Sequence, residues 1–177
     1  MKTPSCRSFP RPLWLCAVAL LLGLGACQSP PPPPAPAPPP VVDQAALRAE
    51  VLRAQGFVRV DDNWELQMNS KLLFESNVDE MTGEARQTLL SIGHALADVG
   101  ISRLRVEGHA DDRGTAVYNE KLSQRRAQWV ADALVEAGIP RDNIEVRGYG
   151  ASRPLVAGAT DAARKENRRV ALIIPAQ

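Results

Sequence analysis

Glu107-Gly108-His109-Ala110-Asp111-Asp112-Arg113-Gly114, followed by Tyr118-Asn119, Leu122-Ser123 and Arg125-Arg126-Ala127, is the most informative stretch of this 177-residue chain. Just upstream, Leu104, Val106 and Gly108 alternate with Arg103, Arg105 and Glu107, the period-two pattern of a half-buried strand. Downstream, residues 119–137 place Leu122, Trp129, Val130, Ala133 and Ala137 on one helical stripe, closed by Gly138 and Pro140. The quoted residues therefore form a polar, glycine-containing loop that leads from a strand into a helix. Its carboxylates gather where backbone N–H groups at the helix start also point.

The neighbouring segments repeat this alternation. Residues 83–99 put Ala85, Leu89, Ile92, Leu96 and Val99 at helical spacing, with Gly100 as the stop. Strands are expected at 143–148 and at Arg169 to Ile174, with a short helical stretch at 160–166 between them. Phe57-Val58-Arg59-Val60 and Trp64-Glu65-Leu66-Gln67-Met68 flank Asp61-Asp62-Asn63, and read as a hairpin or as two short extended pieces. The order β-α-β-α-β predicts an α/β sandwich: one mixed sheet covered by helices on one face. Residues 43–55 predict a short helix capped by Asp43 and ended by Gly56, with Leu47, Val51 and Leu52 on one face. So short a helix is marginal alone, and its apolar face needs either the domain or another protein.

The amino-terminal segment has a different composition. Lys2, Arg7 and Arg11 precede an apolar run from Leu13 to Ala26, too short to span a bilayer as a helix and ending in small residues before Cys27. This is the pattern of an export signal over 1–26. With its three basic residues set aside, 18 of the 21 Lys and Arg stand against 20 acidic residues, a net charge of −2. That balance gives no electrostatic case for nucleic acid. Cys6 and Cys16 leave with the signal, so no disulfide is expected in the remainder. Nine of residues 30–40 are proline, which forbids helix and sheet and predicts a polyproline II spacer of roughly 34 Å within a linker at 27–42.

The loop and helix carry the chemistry. Arg126 falls on the helix's expected apolar stripe, four residues after Leu122 and three before Trp129. A guanidinium at such a register needs a partner, because an unpaired buried charge is very costly. One reading is a salt bridge to Asp111 or Asp112 that only braces the fold. The other is a zwitterion receptor, with Asp111 for an ammonium and Arg126 for a carboxylate, which its fork pairs bidentately. Gly114 would let a ligand approach the backbone closely. His109, Asp111 and Ser123 are the residue types of a hydrolytic triad, but no nucleophile elbow surrounds them. His109 and Asp111 are too few ligands for a closed zinc site. The chain is expected to be neither an enzyme nor a cofactor binder.

Residues 107–130 resemble the OmpA carboxy-terminal and peptidoglycan-associated lipoprotein family, with its glycine-X-X-aspartate turn, Tyr-Asn and Leu-Ser-X-Arg-Arg-Ala. Gly148-Tyr149-Gly150, Pro154 and Asn167-Arg168-Arg169-Val170 continue the likeness, which covers about 66–174. The resemblance implies that Asp111 and Arg126 bind the zwitterionic end of meso-diaminopimelate in the peptide stem of peptidoglycan. It also places Asn77 in the pocket, although Phe74-Glu75-Ser76-Asn77 departs from the family's Phe-Asp or Phe-Asn-Phe. Either Arg168 or Arg169 is expected to brace the loop carboxylates. Leu24-Gly25-Ala26-Cys27 looks like a bacterial lipobox, implying acylation at Cys27, and Gln28 in place of Asp implies the outer membrane. More than one acyl chain would anchor the protein firmly.

The segment Leu52-Arg53-Ala54-Gln55-Gly56-Phe57, with Asp62-Asn63-Trp64-Glu65 and Ser70-Lys71-Leu72-Leu73-Phe74, resembles the YfiB-type lipoproteins. These sequester a periplasmic YfiR-like repressor and so release a diguanylate cyclase. By that resemblance, residues 43–63 form an amino-terminal helix and switch segment, 64–177 form the peptidoglycan-binding domain, and Leu52, Phe57 and Trp64 lie on the partner face. Large exposed aromatics are typical interface anchors, although Trp64 begins a strand and equally suits the core. A face that binds a partner when open is a candidate for homodimer formation when closed. The alternative function is a purely structural tether between outer membrane and peptidoglycan.

Overall fold

The computed structural model describes residues 43–74 and 81–175. The expected signal, Cys27, the proline spacer and Asn77 lie outside the described residues. Helix α1 (Gln44–Ala54) starts at Asp43, whose carboxylate accepts from the N–H groups of Ala45 and Ala46. A hairpin follows, β1 (Val58–Val60) and β2 (Asn63–Asn69), paired antiparallel with Val60 opposite Asn63. Then come α2 (Ser70–Leu73), α3 (Gly83–Asp98), β3 (Leu104–Gly108) and α4 (Ala116–Glu136). The chain closes with β4 (Ile144–Gly148), α5 (Asp161–Asn167) and β5 (Arg169–Pro175).

The five strands form one mixed sheet in the order β1-β2-β5-β3-β4. Only the β3–β4 pair is parallel, because α4 carries the chain back between them, as parallel neighbours require. Strand β5 lies between β2 and β3, which explains why Arg169 to Ile174 are all buried. The expected α/β sandwich, a mixed sheet with helices packed on it, is the observed architecture. The stripe expected on α3 is also the buried one, with Ala85, Leu89, Ile92, Leu96 and Val99 all in the core.

Helix α4 departs from expectation in two ways. It begins three residues earlier, because the Thr115 hydroxyl accepts from Tyr118 N–H and caps the first turn. Its inward face also matches the expected stripe only in part: Val130, Ala133 and Ala137 are buried as expected, together with Asn119, Ser123, Ala127, Ala131 and Leu134, whereas Leu122 is half-buried and Trp129 is 45% exposed. The cause lies in the sheet. Gly108 and Gly148 sit side by side on β3 and β4, and a Cβ on either would come within 2.0 Å of Ser123 O or 2.5 Å of Gln124 N. The helix backbone rests on those two glycines, so it turns small residues inward and large ones to its flank. Arg126 is accordingly half-buried on the flank, not set in an apolar stripe.

The apolar face of α1 finds its partner within the domain. Leu52 joins the core, Val51 packs against it, and Arg48 Nε donates to Val99 O at 2.9 Å. Leu47 stays at the exposed rim. Phe57 is not an exposed anchor: it is 2% exposed, its N–H donating to Leu52 O as the chain turns out of α1. Trp64 is half-buried against the core, with the Arg53 guanidinium 5.3 Å from its ring centre.

Candidate functional site

The loop after β3 is held by an array of polar contacts. Asp111 is nearly buried; its Oδ1 accepts from Arg113 N–H at 3.1 Å and its Oδ2 from Arg168 Nη1 at 2.5 Å. Asn119, buried in the first turn of α4, reaches back with its Nδ2 to Asp111 O at 3.0 Å and Arg113 O at 2.8 Å. Gly114 closes the turn with a φ of +91°, a conformation that disfavours any side chain. The remaining loop charges are paired to α5. Arg164 Nε donates to Asp112 at 2.6 Å, and Arg113 Nη2 donates to Asp161 at 2.9 Å. The hydrogen bond from Arg164 holds the Asp112 carboxyl below its ordinary range, and the same bond raises Arg164. The partners that brace Asp111 and Asp112 are thus Arg168 and Arg164.

Arg126 is positioned from the other side. Its Cζ lies 5.4 Å from the centre of the Phe74 ring, and Phe74 is itself buried. A guanidinium over an aromatic face is held by the ring quadrupole. The four-residue α2 connects the two charges. Ser70 N–H, at its start, donates to Arg168 O at 2.9 Å, and Arg168 holds Asp111. Phe74, immediately after its end, stacks with Arg126. The two ends of this short helical turn are thus tied, respectively, to Arg168, which holds Asp111, and to Arg126. Asp111 uses two of the roughly four acceptor positions of a carboxylate.

Of the other residues singled out in sequence, His109 and Ser123 serve the scaffold. His109 is buried, stacks on Tyr149 with centroids 5.6 Å apart and has its Nε2 3.7 Å from Glu107. Ser123 Oγ accepts from Gly150 N–H and donates to Glu120 O, both at 2.9 Å. The three triad-type residues are therefore not assembled with one another. Burial pushes the Glu107 carboxyl up, but hydrogen bonds with His109 and Arg105 outweigh it and leave the group below its ordinary value. Among the described residues, no group of three or more His, Cys, Asp or Glu side chains is placed to hold a metal. Of the duplicated arginines, Arg168 reaches the loop, whereas Arg169 donates to Gln67 Oε1 at 3.0 Å on the sheet. Sequence reasoning missed Asn119 as the loop's brace and α2; the Tyr118-Asn119 pair carried the only signal for the former.

Residues 73–168 match the OmpA family. The chain is 46% identical over 167 residues to the outer-membrane lipoprotein YfiB of Pseudomonas aeruginosa, covering 94% of this chain and 95% of that one. It is 30% identical over 112 residues to the peptidoglycan-associated lipoprotein of Brucella melitensis, covering 63% of this chain and 67% of that one. Among solved structures, the cell wall anchor of the T6SS from Pseudomonas aeruginosa superposes with a TM-score of 0.60 at 31% identity, over 76% of this chain and 97% of that one. The loop braced on Asn119, the strand glycines beneath α4 and these similarities agree: the chain belongs to the OmpA family.

Proposed function

We propose that this protein is a lipid-anchored outer-membrane protein whose folded domain grips peptidoglycan non-covalently, at the zwitterionic end of meso-diaminopimelate. The observation that carries this reading is that both charges are held in place, Asp111 by Arg168 and Arg126 over the Phe74 ring. Asp111 takes the ammonium and Arg126 the carboxylate, with Gly114 and Asn77 lining the pocket. The relatives' names, an outer-membrane lipoprotein and a peptidoglycan-associated one, support the compartment and the ligand. Acylation at Cys27 supplies the anchor, after removal of 1–26, and residues 27–42 space the domain from the membrane. The role is binding, without catalysis. Sedimentation with insoluble peptidoglycan tests it: wild type co-sediments, while Asp111→Ala and Arg126→Ala remain in solution with their fold intact. Wild-type sedimentation by both variants would remove the zwitterion assignment.

A second activity, capture of a YfiR-like periplasmic repressor that releases a diguanylate cyclase, is favoured by how α1 is seated. A groove of about 180 Å³ separates α1 from the sheet edge, lined by Arg48, Leu52, Trp64 and Ile174 among others. An incompletely packed helix is the kind of element that opens at low cost, and lifting it would expose Leu52, Phe57 and Trp64. The same face would support a homodimer when no repressor is bound. Retrieval of a repressor from periplasm by wild type but not by Trp64→Ala supports the switch; retrieval by neither returns the protein to a simple tether.

A further inference from the structure

Trp129 is 45% exposed, although an indole gains more from burial than almost any other side chain. It borders a surface depression of about 300 Å³ shared with Met81, Arg86, Asp132, Ala133 and Glu136. Arg86 pairs with Glu136 across this depression. Asp132 accepts from Gln128 Nε2 at 2.7 Å and from Arg141 Nη1 at 2.9 Å. The depression thus combines an indole with Met81 and Ala133 and with half-exposed, ion-paired planar groups. Such a lining matches a sugar, whose C–H face packs on an indole while its hydroxyls bond to carboxylates and guanidinium.

The place of this depression on α4 adds the second argument. Trp129 follows Arg126 by three residues, so both lie on one side of the helix, about 4.5 Å apart along its axis. Glu136 lies about 15 Å beyond Arg126 on the same measure. An extended peptide stem of about three residues spans roughly 10 Å. A stem whose far end is held at Arg126, and which runs along α4, therefore brings its sugar-bearing end over the depression.

We infer that Trp129 and the depression it borders hold a pyranose ring of the glycan strand that carries the bound stem. This rests on the peptide-stem reading of Asp111 and Arg126. The test is titration of the full chain with two ligands: the free diaminopimelate-containing stem tripeptide, and the same tripeptide attached to its disaccharide. Wild type binds the disaccharide-bearing ligand about 10-fold more tightly, the order expected of one stacking contact. Trp129→Ala abolishes that difference and leaves affinity for the free tripeptide unchanged, while Trp129→Tyr keeps most of it. Equal wild-type affinity for the two ligands overturns the sugar subsite alone, as does a Trp129→Ala effect that is the same on both. A change in sedimentation coefficient with neither affinity altered assigns the face to a second copy of the chain and also overturns it. A wild type that binds neither ligand overturns the stem reading and this inference with it.

Discussion

Arg126 and Asp111 are held by different means, and the difference sets what each substitution should do. Asp111 is fixed by Arg168 and by the Arg113 N–H, so the carboxylate cannot turn away from the pocket. Removing Arg168 leaves a nearly buried carboxylate short of a partner, and Arg168→Ala should lower stability by about 1–3 kcal/mol in denaturant unfolding. Arg126 lies over an aromatic ring, so Phe74→Leu should keep the core filled yet weaken peptidoglycan sedimentation, because the guanidinium loses its platform. Asp111 and Arg126 were both singled out in the sequence, but the argument for Arg126 rested on the part of a helical stripe, Leu122 and Trp129, that the structure leaves on the flank. Arg168 and Arg169 could not be told apart, since adjacent residues at a strand entrance point to opposite sides and nothing in sequence says which side holds the loop.

Strong periodicity made α3 and β3 readable, since their apolar positions are buried, whereas β5 showed as a short apolar run that is buried throughout. Helix α4 resisted the same reading in its first half, where the inward face consists of Asn119, Ser123 and Ala127, small or polar residues that allow close approach to the sheet. The signal was there in another element: the glycines of β3 and β4 mark where the helix backbone touches down. Gly148→Ala should therefore destabilise by about 1–3 kcal/mol, the range for overpacking a tight contact, measured as a shift in denaturation midpoint without a change in slope. At α1 the expectation is local. Arg48→Ala removes the hydrogen bond to Val99 O and should speed amide exchange in α1 while leaving the slowest-exchanging core amides unaffected. Uniform acceleration throughout the molecule would mean that α1 belongs to the cooperative core and does not open alone.

At the level of the whole molecule, the strand order was beyond the sequence. Alternating elements imply one covered sheet, but placing β5 between β2 and β3 depends on pairings far apart in the chain. One global property follows from the buried Glu107–Arg105–His109 group. Because the Glu107 carboxyl lies below its ordinary value when folded, it adds stability above the usual carboxylate range, and that contribution is lost as pH falls through its lowered value. In thermal melts across that acid range, wild type should lose more stability than Glu107→Gln, and parallel curves would contradict the assignment. The account as a whole rests on recognition of a zwitterion by Asp111 and Arg126. Calorimetric titration of the full chain with a stem tripeptide carrying meso-diaminopimelate, beside one carrying lysine in its place, tests that most directly, because lysine lacks the distal carboxylate. Binding of the diaminopimelate peptide by wild type, with weak binding of the lysine peptide and loss of the discrimination in Arg126→Ala, is the predicted result; equal affinity of wild type for the two peptides would contradict it.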